Sequence, residues 1–141
     1  MTQEFKVMRS SLLFNYFIVV ALSLAAIFLI FFVVLDPAQE ARWFAGLWAL
    51  SVLAFALPNA LRTPHTILLD ESGELIFKSL LSKRAFQAKD LKSIKASFLS
   101  SYFLYFKFKK GKVTVINSVN DLSQLIWLVK GINSNVQTKG C

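Results

Sequence analysis

The feature that most constrains this chain is a run without a single charge, Leu12 to Leu35, "LLFNYFIVVALSLAAIFLIFFVVL". A bilayer core is crossed by roughly 20 apolar residues as a helix, and this run exceeds that length. Asn15 and Ser23 are its clearly polar members, and Asn15 lies near one end, where headgroups can hydrate it. The run is longer than the ~7–15-residue apolar core of a cleaved signal peptide, and "LDPAQEA" after it has no small-residue cleavage pattern, so it is expected to stay. Asp36-Pro37 stops it, because proline cannot continue a helix and an ionised Asp must reach water. A second charge-free run, Trp43 to Leu61, "WFAGLWALSVLAFALPNAL", follows a short polar loop. Trp43 and Trp48 suit an interfacial belt at its entry. Pro58 should fray or kink only the last turn. Two spans, 12–35 and 43–61, are predicted to form a helical hairpin with a tight return.

Composition agrees with lipid contact. The chain of 141 residues is 55% hydrophobic and only 17% charged, against about 25% charged in an average soluble domain. One His and one Cys, the terminal Cys141, leave no disulfide framework and no cysteine-based metal site within the chain. Orientation follows from Lys and Arg beside the spans. Lys6 and Arg9 precede the first, Arg62 follows the second, and the loop carries only Arg42 with Asp36 and Glu40. Both termini are therefore expected on the cytoplasmic side. Residues 62–141 carry 13 Lys/Arg against 5 Asp/Glu, a net +8.

From Thr66 the periodicity changes from helical to alternating. "TILLD" (66–70) and "LIFKSL" (75–80) flank the Gly-containing turn "ESGE" and predict a hairpin. "KRAFQA" (83–88) and a segment from about Ser93 to Leu99 predict two more strands. "YFLYFKFKK" then alternates: Tyr102, Leu104, Phe106 and Phe108 fall on one face, and Phe103, Tyr105, Lys107 and Lys109 on the other. Lys110-Gly111 turns the chain into "KVTVIN". Ser118 and Asp121 have capping-box spacing ahead of Leu122, Leu125, Ile126, Val129 and Ile132, which recur at helical intervals. Gly131 weakens the helix near its end, and "NSNVQTKGC" predicts a frayed tail. Six short strands and one amphipathic helix suit a small roll or barrel whose open end the helix covers.

"TILLDESGELIF", "AFQAKDLKSIKAS", "YFLYFKFKKGKVTVIN" and "DLSQLIWLVKGI", in this order after a pair of spans, resemble the bacterial pleckstrin-homology-like (PH-like) membrane proteins. The resemblance covers about 62–141. It implies a PH-like β-roll with a C-terminal capping helix, a bacterial inner-membrane location, and an interaction or assembly role. The boundaries expected are a cytoplasmic N-terminal tail (1–11), the hairpin (12–61), the β-domain (62–136) and a flexible tail (137–141). Eukaryotic PH domains that grip phosphoinositides flank the first hairpin loop with basic residues. Here that loop is Asp70-Glu71-Ser72-Gly73-Glu74, and its acids would repel a phosphate.

The carboxylates lie in predicted turns or caps, so no acid–base pair in a dry pocket is indicated. His65 reads as an interfacial residue. No catalytic, cofactor or metal residues are assigned, and no cofactor is expected. Two helices with so few polar residues offer no charge relay. The expectation is a non-catalytic membrane-anchored adaptor or accessory subunit that binds a protein partner or a second copy. Its basic face would comprise Lys83, Arg84, Lys107, Lys109, Lys110 and Lys112, with Phe103 and Tyr105 as interface aromatics. Anionic headgroups are the other candidate ligand of that face. The tether to a membrane and the lack of a glycine in "YFLYFKFKK" argue against nucleic acid. An immunity or stress protein against a membrane-active toxin and a small channel-like oligomer are the alternatives. "ALSLAA" and "AGLWALS" carry small residues that permit close helix approach.

Overall fold

The computed structural model describes residues 2–35, 41–97 and 102–140. The expected return loop after Asp36, the end of the strand predicted to reach Leu99, and Cys141 lie outside the described residues. The chain divides into a sheet unit, Met1–Leu12 with Thr63–Cys141, and a helical unit, Leu13–Arg62.

The sheet unit begins with a strand, β1 (Gln3–Lys6), where a tail was expected. The reason is a short alternation: Phe5 and Val7 are each 4% exposed, with Glu4 and Lys6 turned outward and ion-paired at 3.6 Å. β1 pairs antiparallel with β2 (Thr66–Leu69), so the whole helical unit is the connection between two neighbouring strands. β3 (Glu74–Lys78) and β4 (Lys83–Gln87) complete an antiparallel sheet in the order β1-β2-β3-β4. Gly73 takes φ +74° in the β2–β3 turn, where its N–H donates to the Asp70 carbonyl at 2.9 Å. A side chain there would be strained.

A single 3-10 turn, Ala88–Asp90, leads into the second sheet. It contains β5 (Leu91–Ala96), β6 (Phe103–Phe108), β7 (Gly111–Ile116) and β8 (Gln137–Lys139), in the order β7-β6-β5-β8. β8 corrects the expected frayed tail and runs parallel to β5. Its approach is held by Val136, 5% exposed, and by Asn133, whose side-chain amide donates to the carbonyls of Lys89 at 3.0 Å and Leu91 at 2.9 Å.

Between β7 and β8 lies helix α4 in chain order, numbered after three helices of the helical unit. α4 (Leu122–Ile132) buries Leu125 and Val129 completely against the core. The expected capping box does not form. Asp121 adopts φ 55°, ψ 35° with no side-chain cap, and the Ser118 hydroxyl instead donates to Ser11 Oγ at 2.7 Å. Tertiary pairing of Ser118 outcompetes the local cap.

The two sheets close over an aromatic centre. Phe77 meets Phe106 at 5.3 Å and Phe108 at 6.0 Å, both edge to face, and Phe86 stacks on Phe108 at 4.4 Å and 13°. Such pairs add to the area they bury, because ring edges and faces carry opposite partial charge. Leu104, Phe106 and Phe108 point inward as the alternation predicts, while Tyr102 is only half-buried.

The helical unit contains α1 (Arg9–Leu35), whose first turn belongs to the sheet unit, then α2 (Ala41–Ser51) and α3 (Leu57–Arg62). Two stretches, Arg9–Phe32 and Trp43–Arg62, are long and apolar enough to cross a membrane. α2 and α3 are joined by a π-helical turn, Val52–Ala56. Pro58 explains it. Proline has no N–H for the carbonyl four residues back, that of Ala54, and its ring crowds that oxygen. The disturbance therefore lies upstream of the proline, and the helix continues to Arg62 instead of fraying in its last turn. The hydroxyls of Ser23 and Ser51 donate to the carbonyls of Val19 at 2.7 Å and Leu47 at 2.8 Å, which satisfies them without water. Among the described residues of this unit, the buried ones are small: Ser23, Ala26, Ala49 and Ala60.

Candidate functional site

Strand pairing assembles a lysine-rich face on the outside of the second sheet. Residues directly opposite on neighbouring strands share a face. Ser93, Lys107 and Lys112 form one row, and Lys95, Tyr105 and Thr114 the next. β8 extends both rows, setting Gln137 beside Ser93 and Lys139 beside Lys95. The inward residues, Ile94, Leu104, Phe106, Val113 and Val115, fill the core, so the lysines lie on the opposite, outer face of the sheet.

Two pairs on this face, Lys107 with Lys112 and Lys95 with Lys139, set like charges opposite each other. Such pairs are destabilising. The Lys112 ammonium is partly compensated, standing 3.6 Å from the centroid of the Tyr105 ring. Lys109 is partly neutralised by Asp90 at 3.3 Å. Two shallow grooves of about 540 and 560 Å³ share Ser93, Lys95, Lys107 and Lys109, and Asp90 is the carboxylate among their described lining residues. Among the described residues this arrangement holds no dry acid–base pair. It is suited to receiving a negatively charged surface.

The expected basic face is thus divided. Lys107, Lys109 and Lys112 lie together, with exposed Lys110 at the β6–β7 turn. Lys83 and Arg84 lie on β4, in the other sheet. Lys83 belongs to the cross-strand row Lys6–Thr66–Lys78–Lys83, and Arg84 is opposite Phe77 on the core side, exposed because β4 is an edge strand. Phe103 is not a free interface aromatic. It packs against the core and meets Tyr102 edge to face at 4.9 Å. Tyr105 is half-buried beneath Lys112. Lys95 and Lys139 were missed. Their signal is register between strands distant in sequence, which no local window contains.

The two basic groups lie at opposite ends of the sheet unit. The chain leaves this unit after β1 and re-enters at β2, so the Lys6–Thr66–Lys78–Lys83 row marks the junction end. At the same end Tyr102 donates its phenol proton to the Ser11 carbonyl at 3.1 Å, and the Met8 N–H donates to Ser118 at 2.7 Å. Burial here pushes the Tyr102 phenol above its ordinary value of 10.0. β6 runs away from this end, and six residues at ~3.3 Å each carry it roughly 17–20 Å. Lys107, Lys109, Lys110 and Lys112 are therefore at the far end. So is the acidic β2–β3 turn, where Asp70 accepts from Thr2 at 3.2 Å and Ser72 at 3.3 Å. His65 is half-buried, with its backbone tied to Val7 and Lys78 at 2.9 Å and its Nδ1 without a partner.

No family model, curated protein or solved structure matches this chain.

Proposed function

We propose that this chain is a non-catalytic adaptor of the bacterial inner membrane, anchored by two spans with both termini cytoplasmic, whose lysine face binds an acidic surface on a protein partner. The observation that carries the reading is the row of like charges around Tyr105. Opposed lysines weaken a sheet, and a ligand that neutralises them recovers that loss. The Lys109–Asp90 pair at 3.3 Å is the kind of contact that a partner's carboxylates would make with the neighbouring lysines. A PH-like roll remains the family reading we put forward. What supports it is the β2-β3-β4 meander, a second sheet in which β5, β6 and β7 pair antiparallel, and the helix packed on the core. The β1 strand before the spans is an addition to that plan.

Affinity purification of the full chain in mild detergent tests the reading. A partner retained in constant ratio by the wild type is expected to be lost from Lys107→Glu/Lys112→Glu. Recovery of the chain alone, or a partner indifferent to the double substitution, would sink it.

A further inference from the structure

The turn joining β3 to β4 is Ser79-Leu80-Leu81-Ser82, with Lys78 before it and Lys83 after it. Leu80 is 60% exposed and Leu81 63%, although Leu75 and Phe77 of the preceding strand are buried. Turns ordinarily use Gly, Asn, Asp, Ser or Pro, which satisfy the backbone or tolerate its dihedrals. Two adjacent exposed leucines break that rule and need a reason.

The two serines that bound the turn are closed on one another. The Ser79 N–H donates to the Ser82 carbonyl at 2.9 Å and the Ser82 N–H to Ser79 Oγ at 3.0 Å. The Ser79 hydroxyl also lies 2.9 Å from both the Ser82 carbonyl and the Ser82 hydroxyl. The surface left at the tip is leucine, flanked by two serines whose polar groups are already paired. This lowers the cost of leaving water.

Location supplies the occupant. Lys78 and Lys83 face each other in the row that contains Lys6 and Thr66, the last residue of β1 and the first of β2. β3 runs towards that row, so the tip projects beyond the end at which the chain departs for α1. Exposed Met8 and Arg9 follow β1 at the same end. Apolar side chains ringed by long basic ones suit the boundary between acyl chains and anionic headgroups: leucines enter, and ammonium groups snorkel to the phosphates.

We infer that the Leu80–Leu81 tip is an interfacial anchor, inserted into the bilayer that the chain's own helices cross, with Lys78 and Lys83 at headgroup level. The inference rests on the membrane-spanning part of the proposed function and on nothing in the far-end face.

Spin labels on the full chain in lipid nanodiscs test it. On a Cys141→Ser background, single labels are placed through Leu81→Cys, Lys110→Cys and Phe28→Cys, and relaxation by oxygen and by a water-soluble nickel chelate is compared. The label at position 81 is expected to resemble that at 28, accessible to oxygen and shielded from nickel, while that at 110 does the reverse. Adding phosphatidylglycerol to phosphatidylcholine discs should deepen the position-81 signal. Lys78→Gln/Lys83→Gln should cancel that gain, at roughly fivefold in tip partition per lysine. Nickel access at 81 equal to that at 110 overturns the inference. Shielding at 81 from both reagents also overturns it, because the tip would then be buried in protein such as a second copy. Lipid exposure at 28 beside an aqueous 81 leaves the spans standing, whereas an aqueous 28 removes the membrane reading itself.

Discussion

The sheet unit and the helical unit are both rich in phenylalanine and treat it in opposite ways. In the sheet unit Phe5, Phe77, Phe106 and Phe108 are buried, and the Phe77 ring meets those of Phe106 and Phe108 across the two sheets. In the helical unit Phe17 is 71% exposed and Phe44 78%, while among the described residues the buried positions belong to Ser23, Ala26, Ala49 and Ala60. The first unit makes its own interior from large side chains. The second has none to make, and uses small residues where it closes on itself. Its phenylalanines need an apolar surrounding from outside, which is the bilayer of the proposed reading.

Deleting residues 2–6 tests the sheet unit most severely. The deletion removes Phe5 from the core and leaves β2 with an unpaired edge. Near-UV circular dichroism of the protein is expected to lose its tertiary signal. A retained signal would show that β1 is dispensable, and that residues 62–141 fold as a unit after all.

Matched phenylalanine substitutions address the comparison directly. Phe77→Ala should destabilise the sheet unit by about 3–5 kcal/mol, the usual range for a large core aromatic. Phe31→Ala in α1, where the ring is 65% exposed, should change stability by under about 0.5 kcal/mol. Urea titrations of both variants in one detergent would measure the difference. Equal losses would mean that Phe31 has a protein interior around it, and the contrast would fail.

The converse change enlarges a small buried side chain. Ala26→Leu should cost about 1–3 kcal/mol by overpacking, since Ala26 has no exposed surface. Thermal unfolding in detergent is the measurement, with Ala25→Leu, an exposed neighbour, as its reference. If the two behave alike, the small residues do not define the contact within the helical unit.

The smallest effect concerns the junction end. Burial raises the Tyr102 phenol above 10.0, so the folded protein holds this proton at a pH where an unfolded chain releases it. Its contribution is complete below pH 10 and declines as pH rises through the folded value. Tyr102→Phe should flatten stability against pH above 10 relative to wild type, read from chemical denaturation at stepped pH. An unchanged slope would mean that the phenol is solvated like a free tyrosine.

Much of this fold was legible because its signals are local. Alternation assigned Leu104, Phe106 and Phe108 to the core, and helical spacing found Leu125 and Val129. Three errors came from segments whose structure is decided elsewhere in the chain. Phe5 and Val7 alternate over too few residues to announce a strand until β2 offers an edge. Val136 and Asn133 turn an apparent tail into β8 through bonds to the start of β5. Ser118 has the spacing of a cap and is taken by Ser11 instead. The site followed the same division. The lysines beside the β6–β7 turn were visible in sequence, whereas the separation of Lys83 from them depends on which sheet each strand joins.

By itself the sequence determined two long apolar helices, an alternating β-rich remainder and a strong positive charge. Those follow from residue type and spacing along one segment, which no distant contact has to supply. The tertiary structure alone decided that β1 and β2 enclose the helices as a connection, and that the lysines divide between two ends. It also decided that Leu80 and Leu81 stand at the end where the chain departs. Each of these is a matter of register between strands far apart in the chain. Register is set by which side chains can be buried together.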